Sequence, residues 1–483
     1  MKRFFLISHI ILFLNTCAFC QLIGGNGEGF TSNVTSEDIE NLQLLAKVHP
    51  LVIRWPGGGD AKVAFPALDR PGLGMNRDSI TALYEEFRGK KGEVKTEAMD
   101  RDLHEYLTDS QKKESDLMPI IRVAHAVKNF QVDYCLNVQQ GGVDININAI
   151  QTLIDSGVNI ISIVAGNETF YSYQFDFEKY RKDFEPILVA CQQRFPKIPR
   201  ILCVAQDIFN KHHQDWNNQL FYYIKTHNDL ISGVDIHYYL LNEIMEANDA
   251  HPKSLVYKKD SVYPELQNAF SKYITLYNQQ DNFSGLIAYL HDNLPGKIYQ
   301  CTEFGDKEAE YWSNTVAAAG HSFYIFCTYR NSFDFLLMQN LMGNWLWSAR
   351  RAAGRFDINI NNTIKINRCN WYALQMANEM PYEALLLNKK IQLRQPGTYY
   401  FYFNNAGGAA YDPQFDLKGM QVENYELHFV TGKFPYSSAG STGFMSPGSD
   451  KTMDVTGITV QQTKTVENIP ANAFGYVRIE VGK

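Results

Sequence analysis

Short apolar runs alternate with amphipathic segments along most of the chain. Eight of these runs predict β-strands, because they are rich in β-branched residues and are bounded by turn residues. The predicted strands cover residues 22–25, 51–55, 119–124, 158–165, 200–205, 233–239, 298–303 and about 335–341. Helical patterns lie between them, the longer ones at residues 175–195, 215–226, 263–293 and 307–329. Eight strands with intervening helices predict an α/β fold, the (β/α)8 TIM barrel.

A doubly wound α/β sheet would produce nearly the same alternation. That fold commonly has a Gly-x-Gly-x-x-Gly turn after its first strand, and this chain has no such turn at that place. The barrel is therefore the preferred fold. The long charged segment 70–113 is predicted to be an insertion at the rim of the barrel.

The pattern changes after about residue 382. Apolar and polar residues alternate there in short segments that Gly, Ser, Asn and Pro separate, which predicts a small antiparallel β-sandwich. The segments are residues 391–394, 399–403, 425–430 and 475–481. The predicted domains are thus a catalytic barrel over residues 21–381 and a β-sandwich over residues 382–483. We expect the sandwich to pack on the barrel, with glycan binding as the alternative role.

The first twenty residues predict an export signal. A basic start, Met1–Arg3, precedes the apolar run Phe4–Leu14, which is too short to span a membrane. Cleavage before Gln21 fits the small Ala18 upstream. A lipoprotein box at Leu14–Cys17 and a structured N-terminal helix are the alternatives. No later stretch is apolar and long enough for a transmembrane segment, so we expect an exported protein, periplasmic or secreted, with a lipoprotein anchor as an alternative.

Composition narrows the choice of partner. The 483 residues have room for one large domain and one small domain. A net charge of −7 argues against a nucleic-acid partner, which would require a basic patch. The aromatic content of 13% fits a packed core or a sugar-stacking cleft. The cysteines beyond the export signal are scattered without metal-site spacing, so no metal site is assigned to them. No metal and no cofactor are expected, because two carboxyl groups suffice for the chemistry considered below. The oligomeric state stays open.

Two glutamates end predicted strands. Glu168 follows the strand 158–165, and Glu303 ends the strand 298–303. The C-terminal ends of the strands carry the active site in TIM-barrel enzymes. A glycosidase needs two carboxyl groups, one to protonate the leaving oxygen and one to attack the sugar. Each glutamate alone would also fit a helix-cap contact or an ion pair at the rim.

Polar residues that could bind substrate lie at the same strand ends: Arg54, Asn167, His237 and Tyr239. Arg54 precedes a glycine-rich turn and would hold an attacking carboxylate in its ionised form. Asn167 is placed to hydrogen-bond a sugar hydroxyl. His237 and Tyr239 are two positions apart and face the same side of their strand, and the tyrosine hydroxyl could donate to the attacking carboxylate. The alternative for Arg54 is a structural bridge between layers of the barrel. The alternative for His237 and Tyr239 is ordinary packing in the core.

These motifs resemble the signature of clan A retaining glycoside hydrolases. The pair Asn167-Glu168 on the fourth strand and Glu303 on the seventh carry that resemblance. The segments 54–58 and 237–239 are similar to those of α-L-arabinofuranosidases and of the β-glucuronidase/heparanase group. The resemblance implies that Glu168 is the acid/base and Glu303 the nucleophile.

Two further residues are weaker candidates for substrate binding. His125 follows the predicted third strand and would line the pocket. Trp345 lies beyond the eighth strand, where the resemblance implies an aromatic residue stacked under the sugar; core packing is the alternative. The sequence departs from the arabinofuranosidases at Gly59-Asp60, where those enzymes usually have Asn. The family, and with it the sugar that the protein recognises, therefore stays undetermined.

The sequence therefore predicts an exported retaining glycoside hydrolase that acts on a plant- or algal-type polysaccharide or oligosaccharide by double displacement. The expected partner is a carbohydrate substrate. A non-catalytic glycan-binding protein on the same barrel and a structural surface protein are the alternatives. The second strand-end glutamate favours the enzyme, because a binding protein has no need of it.

Overall fold

The computed structural model describes residues 22–27, 34–87, 103, 106–107, 109–208, 210–239, 271–272, 275, 283–305, 315–339, 341–343, 350–351, 366–367, 369–432, 458–463 and 468–483. Eight strands form a closed barrel in sequence order, each parallel to its neighbours, and β8 pairs with β1. They are β1 (Leu22–Asn26), β2 (Leu51–Trp55), β3 (Phe130–Cys135), β4 (Ile160–Val164), β5 (Arg200–Cys203), β6 (Gly233–Tyr239), β7 (Ile298–Gly305) and β8 (Phe335–Met338). The predicted (β/α)8 barrel is confirmed.

Helices surround the barrel and bury their apolar faces against the strands. In the described chain they are Ser36–Leu45, Arg77–Phe87, Leu117–Ala126, Gly142–Asp155, Thr169–Ser172, Phe177–Arg194, Lys211–Thr226, Phe283–Asn293, Val316–Tyr329 and Cys369–Glu379, with a 3-10 turn at Gly59–Lys62. Val316–Tyr329 is buried along most of its length, which indicates that it is covered on both sides. Among the described residues, no helix combines the length and the apolar character that a membrane crossing requires.

The third strand lies later in the chain than predicted. Residues 119–124 belong to the helix Leu117–Ala126, and the strand is Phe130–Cys135. The apolar run was ambiguous, because a short run fits a buried strand or a buried helix equally well. Its buried residues Leu117, Ile120 and Ile121 follow helical spacing. Pro119 is tolerated because the first turn of a helix has no intrahelical N–H bonds to lose.

The C-terminal region forms two small sheets. The strands are β12 (Leu385–Leu386), β13 (Lys390–Gln392), β14 (Gly397–Asn404), β15 (Gln414–Asp416), β16 (Gln421–Gly432), β17 (Ile458–Thr463) and β18 (Ala473–Gly482), and the short β9 (Met342–Gly343), β10 (Arg350–Arg351) and β11 (Ile366–Asn367) precede them. Five of the strands pair in the order β12-β14-β18-β16-β17, and β13 pairs with β15. The predicted sandwich architecture is confirmed, although the pairs β12–β14 and β13–β15 are parallel. The exact boundary between the two domains at residue 382 stays a prediction. The predicted export signal, residues 1–20, lies outside the described residues.

One face of the five-stranded sheet packs on the barrel. The ring of Phe474 lies 5.7 Å from that of Phe323 on the helix Val316–Tyr329. The hydroxyl of Tyr476 donates to Glu379 at 3.1 Å. The opposite face of the sheet buries its own apolar cluster, in which Phe401 packs against Phe415 of the two-stranded sheet. The small domain therefore shares a continuous core with the barrel helices.

Replacing Phe474 by Ala is expected to destabilise the whole protein by about 3–5 kcal/mol, because the change opens a cavity in a shared core. Thermal and denaturant unfolding would measure the loss. Val460→Ala on β17 is the matched control, since Val460 is 48% exposed, and it is expected to change the stability very little. An equal, small effect of both changes would show that the sheet does not stabilise the barrel.

Candidate active site

Glu303 lies at the centre of a polar cluster at the C-terminal end of the barrel. Its Oε1 accepts hydrogen bonds from Arg54 at 2.6 Å and from Asn26 at 2.9 Å. Its Oε2 accepts the hydroxyl of Tyr239 at 2.5 Å. The side chain is 1% exposed. Three donors, one of them cationic, bind this buried carboxyl group and fix its orientation.

A β-bulge directs Glu303 into the barrel. On β6 and β7, Ile236 pairs with Cys301 while His237 pairs with Glu303, so Thr302 is an extra residue in the ladder. Consecutive residues of a regular strand point to opposite faces. With the bulge, Thr302 and Glu303 both turn their side chains inward, as their bonds to residues inside the barrel show.

Glu168 is presented by a strained loop after β4. Its backbone is left-handed, with φ 43° and ψ 43°, immediately before the short helix Thr169–Ser172. A non-glycine residue in this conformation costs about 1–2 kcal/mol, and such strain concentrates at functional sites. Gly166 allows the turn, since a Cβ there would lie 2.7 Å from the Thr169 side chain. The Glu168 side chain is 25% exposed and is therefore much more open than Glu303.

His237 lies between the two glutamates. Its Nδ1 is 3.0 Å from Oε1 of Glu168 and 3.4 Å from Oε2 of Glu303. One carboxylate oxygen of each glutamate and the imidazole nitrogen all lie within 4.8 Å of one another. The two carboxyl groups therefore approach each other across the imidazole ring, on one side of the same pocket.

The surroundings of His237 favour the protonated form of its ring. Burial alone would lower the pKa of the imidazole, but the negative charge of Glu303 and hydrogen bonds to Asp235 and Glu168 outweigh it and raise the pKa to about 9. The site thus contains two buried cations, since Arg54 is fully buried as well. The cations offset the negative charge that the carboxylates would otherwise accumulate.

Arg54 connects the two halves of the site. Besides Glu303, its guanidinium donates to Oδ1 of Asn167 at 2.9 Å and lies 3.9 Å from Asp235. Burial would lower the pKa of Arg54, but the surrounding Cys135, Glu303 and other acidic groups raise it well above its usual value. The side-chain oxygen of Asn167 is therefore bound to Arg54.

Most residues predicted to form the site are brought together. Glu168, Glu303, Arg54, His237 and Tyr239 surround one point at the strand ends, and Asn167 contacts them through the arginine. Their roles in catalysis or substrate binding stay predictions.

The predicted placement of His125 at this site is wrong. His125 lies exposed in the last turn of the helix Leu117–Ala126 and bonds to the carbonyl of Ser156 at 2.7 Å. Ser156 precedes β4, so His125 is at the N-terminal end of the barrel, away from the glutamates. Its assignment followed the misplaced third strand. Trp345 lies outside the described residues, and its role stays a prediction.

The sequence did not reveal several polar residues around the cluster. Asn26 ends β1 and bonds to Gln339, which follows β8, at 2.7 Å. Asp235 and Thr302 lie one layer deeper, and the threonine hydroxyl donates to the aspartate at 2.6 Å. Asp235 could have been found from its position two residues before His237 on the same face of the strand.

Two groups of side chains in the described chain have donor atoms close enough for a metal ion. One is Glu168, His237 and Glu303, and the other is Cys203, Asp235 and His237. Arg54 donates directly to the carboxylate of the first group, and a guanidinium beside a carboxylate disfavours a second cation there. The arrangement favours acid–base and nucleophilic chemistry by the carboxylates.

No family model and no curated protein matches the sequence. Solved structures do share the fold. A family 51 α-L-arabinofuranosidase from Bifidobacterium longum aligns with a TM-score of 0.55 at 9% identity, covering 96% of this chain and 95% of that enzyme. A family 39 enzyme from Xanthomonas axonopodis pv. citri aligns with a TM-score of 0.46 at 9% identity, covering 95% of this chain and 93% of that enzyme. A family 44 xyloglucanase from Paenibacillus polymyxa aligns with a TM-score of 0.45 at 10% identity, covering 95% of this chain and 96% of that enzyme.

The first of these comparisons shows that the chain has the barrel-and-sheet fold of a family 51 enzyme over nearly its full length. The resemblance to clan A glycoside hydrolases is thereby confirmed at the level of the fold. Fold alone does not assign a reaction, so the function has to be inferred from the geometry of the site.

Proposed function

We propose that this protein is an exported retaining glycoside hydrolase that cleaves a polysaccharide or oligosaccharide by double displacement. The observation that carries the proposal is the close pair Glu168 and Glu303, with one oxygen of each within 4.8 Å. A pair at this separation supports direct attack by one carboxylate.

The surroundings of the two carboxyl groups suggest their roles. Glu303 is buried and accepts hydrogen bonds from Arg54, Asn26 and Tyr239, which holds its carboxyl group in place for attack on the anomeric carbon. Glu168 is more exposed, as a group that must reach the leaving oxygen and later a water molecule. In the first step Glu168 protonates the leaving oxygen while Glu303 forms the glycosyl ester. In the second step Glu168 removes a proton from water, which releases the sugar with retained configuration.

The sugar is the open part of the proposal. α-L-Arabinofuranosides are the first substrates to test, because a solved structure that aligns with a TM-score of 0.55 is described as an α-L-arabinofuranosidase. The β-glycans of plants and algae follow. A non-catalytic glycan-binding protein is the second candidate, and the paired carboxylates argue against it.

A panel of nitrophenyl glycosides and polysaccharides would test the proposal. We expect hydrolysis of at least one, with the product first appearing by proton NMR in the same anomeric configuration as the substrate. Glu303→Gln, which conserves size but removes the charge, is the matched control and should bind the same glycan without cleaving it. Binding without cleavage by the unmodified protein would favour the non-catalytic alternative, and an inverted product would contradict double displacement.

A further inference from the structure

Asp235 lies inside the barrel beside His237, two residues earlier on β6. It is completely buried. Its Oδ1 accepts the backbone N–H of Thr302 at 3.0 Å, and its Oδ2 accepts the Thr302 hydroxyl at 2.6 Å. The same Oδ2 is 3.5 Å from Nε2 of His237. The carboxylate is thus fixed in position on one side of the imidazole ring, while Glu168 and Glu303 lie on the other.

Four of the charged and titratable groups at the His237 ring, the ring itself included, form two pairs of opposite charge. Arg54 bonds to Glu303, and His237 has Asp235 as its counter-charge. From the adjacent β5, Cys203 approaches Asp235 and His237; burial raises the pKa of this thiol well above its usual value, so it remains neutral.

The remaining facing groups are neutral or bonded elsewhere. Asp133 on β3 accepts a hydrogen bond from Ser162, and burial raises the pKa of Asp133 to about 7. The Tyr239 hydroxyl donates to Glu303.

Building on the proposed function, we propose that Asp235 is a positioning residue that holds a proton on Nε2 of His237 and so keeps the ring doubly protonated, with Nδ1–H donating to Oε1 of Glu168. Because Oε1 then acts as the acceptor, the acid proton of Glu168 is carried by Oε2. That proton passes to the leaving oxygen as the glycosidic bond breaks, while Glu303 forms the new bond to the sugar. His237 keeps both of its protons throughout.

A neutral ring would have the opposite effect. If the only proton stays on Nε2 beside Asp235, Nδ1 becomes an acceptor and draws the proton of Glu168 to Oε1. The acid would then point to the histidine instead of the leaving group. Removal of one proton from the coupled pair Glu168 and His237 ends protonation of the leaving group, and the charge of Asp235 raises the pH at which that proton is lost.

The test is the pH profile of kcat/KM for Asp235→Asn. Removing the carboxylate removes a negative charge that favours the imidazolium, so His237 should lose its proton at lower pH. We expect the basic limb to move to lower pH by about one unit or more for substrates with poor leaving groups. For dinitrophenyl glycosides, which need no acid in the first step, the basic limb should stay in place. Asp133→Asn, which removes another buried carboxyl group of the barrel interior, should give a clearly smaller shift.

Nitrogen-15 NMR of the histidines provides a readout that does not depend on activity. The signals of His237 are those absent from His237→Gln. In the unmodified protein they should show both ring nitrogens protonated at neutral pH, which tests the inference even if Asp235→Asn fails to fold. In Asp235→Asn the titration should move to lower pH.

The possible failures are distinguishable. An active, retaining enzyme whose basic limb and His237 titration are unchanged by Asp235→Asn, or whose His237 is neutral at pH 7, would overturn the role of Asp235 alone. A protein that hydrolyses no glycoside, yet has a doubly protonated His237 that depends on Asp235, would overturn the proposed function and keep the hydrogen-bond assignment.

Discussion

The Glu303→Ala enzyme is expected to lose turnover by a factor on the order of 10⁴ to 10⁶, the range in which removal of an essential catalytic group usually falls. Without this carboxylate no glycosyl ester can form, and Arg54 loses the carboxylate to which it donates directly. Initial rates on the best aryl glycoside of the panel would measure the loss. Unaltered activity would show that Glu303 is structural and that the enzyme assignment fails.

Small anions provide the control for that experiment. Azide or formate should partly restore turnover of Glu303→Ala, because either fills the space that the side chain left and attacks from the same face. The azide product should have inverted configuration, since only one displacement occurs. Glu303→Gln should be equally inactive but not rescued, because its amide fills the space. Both proteins need a folding check by circular dichroism, since Asn26, Arg54 and Tyr239 lose an acceptor.

The site could be predicted because of barrel geometry. Residues far apart in sequence converge when each ends a parallel strand, so the strand-end positions of Arg54, Glu168, His237 and Glu303 were enough to place them together. The β-branched strands were found where apolar runs were bounded by turn residues. Neither step requires knowledge of side-chain contacts.

The misses have local physical causes. β3 carries polar residues on its inward face, among them Asp133, so its pattern did not resemble a core strand, while the helix before it did. Because the helix was taken for the third strand, His125 was wrongly placed at the active-site end of the barrel. Thr302 reaches Asp235 only because of the bulge on β7, and a bulge leaves no signal in residue type. Asn26 was missed because the predicted first strand ended one residue too early.

Glu168→Ala tests the other carboxyl group, and its expected effect depends on the substrate. General acid catalysis is worth about 10²–10⁴ in rate, so glycosides with poor leaving groups should lose activity to that extent. Dinitrophenyl glycosides need no proton in the first step and should form the glycosyl enzyme at close to the normal rate. Release of that intermediate lacks its base, so the glycosyl enzyme should accumulate and be detectable as a mass increase on Glu303.

The stereochemistry of rescue then decides which glutamate has which role. Azide added to Glu168→Ala should attack the glycosyl enzyme from the face that water normally uses, giving a glycosyl azide of retained configuration after two displacements. The corresponding product from Glu303→Ala is inverted, because only one displacement takes place. Exchange of these two outcomes would mean that the roles are reversed, with Glu168 as nucleophile. The deep burial of Glu303 among Arg54, Asn26 and Tyr239, against the open position of Glu168, favours Glu303 as the nucleophile and Glu168 as the acid/base.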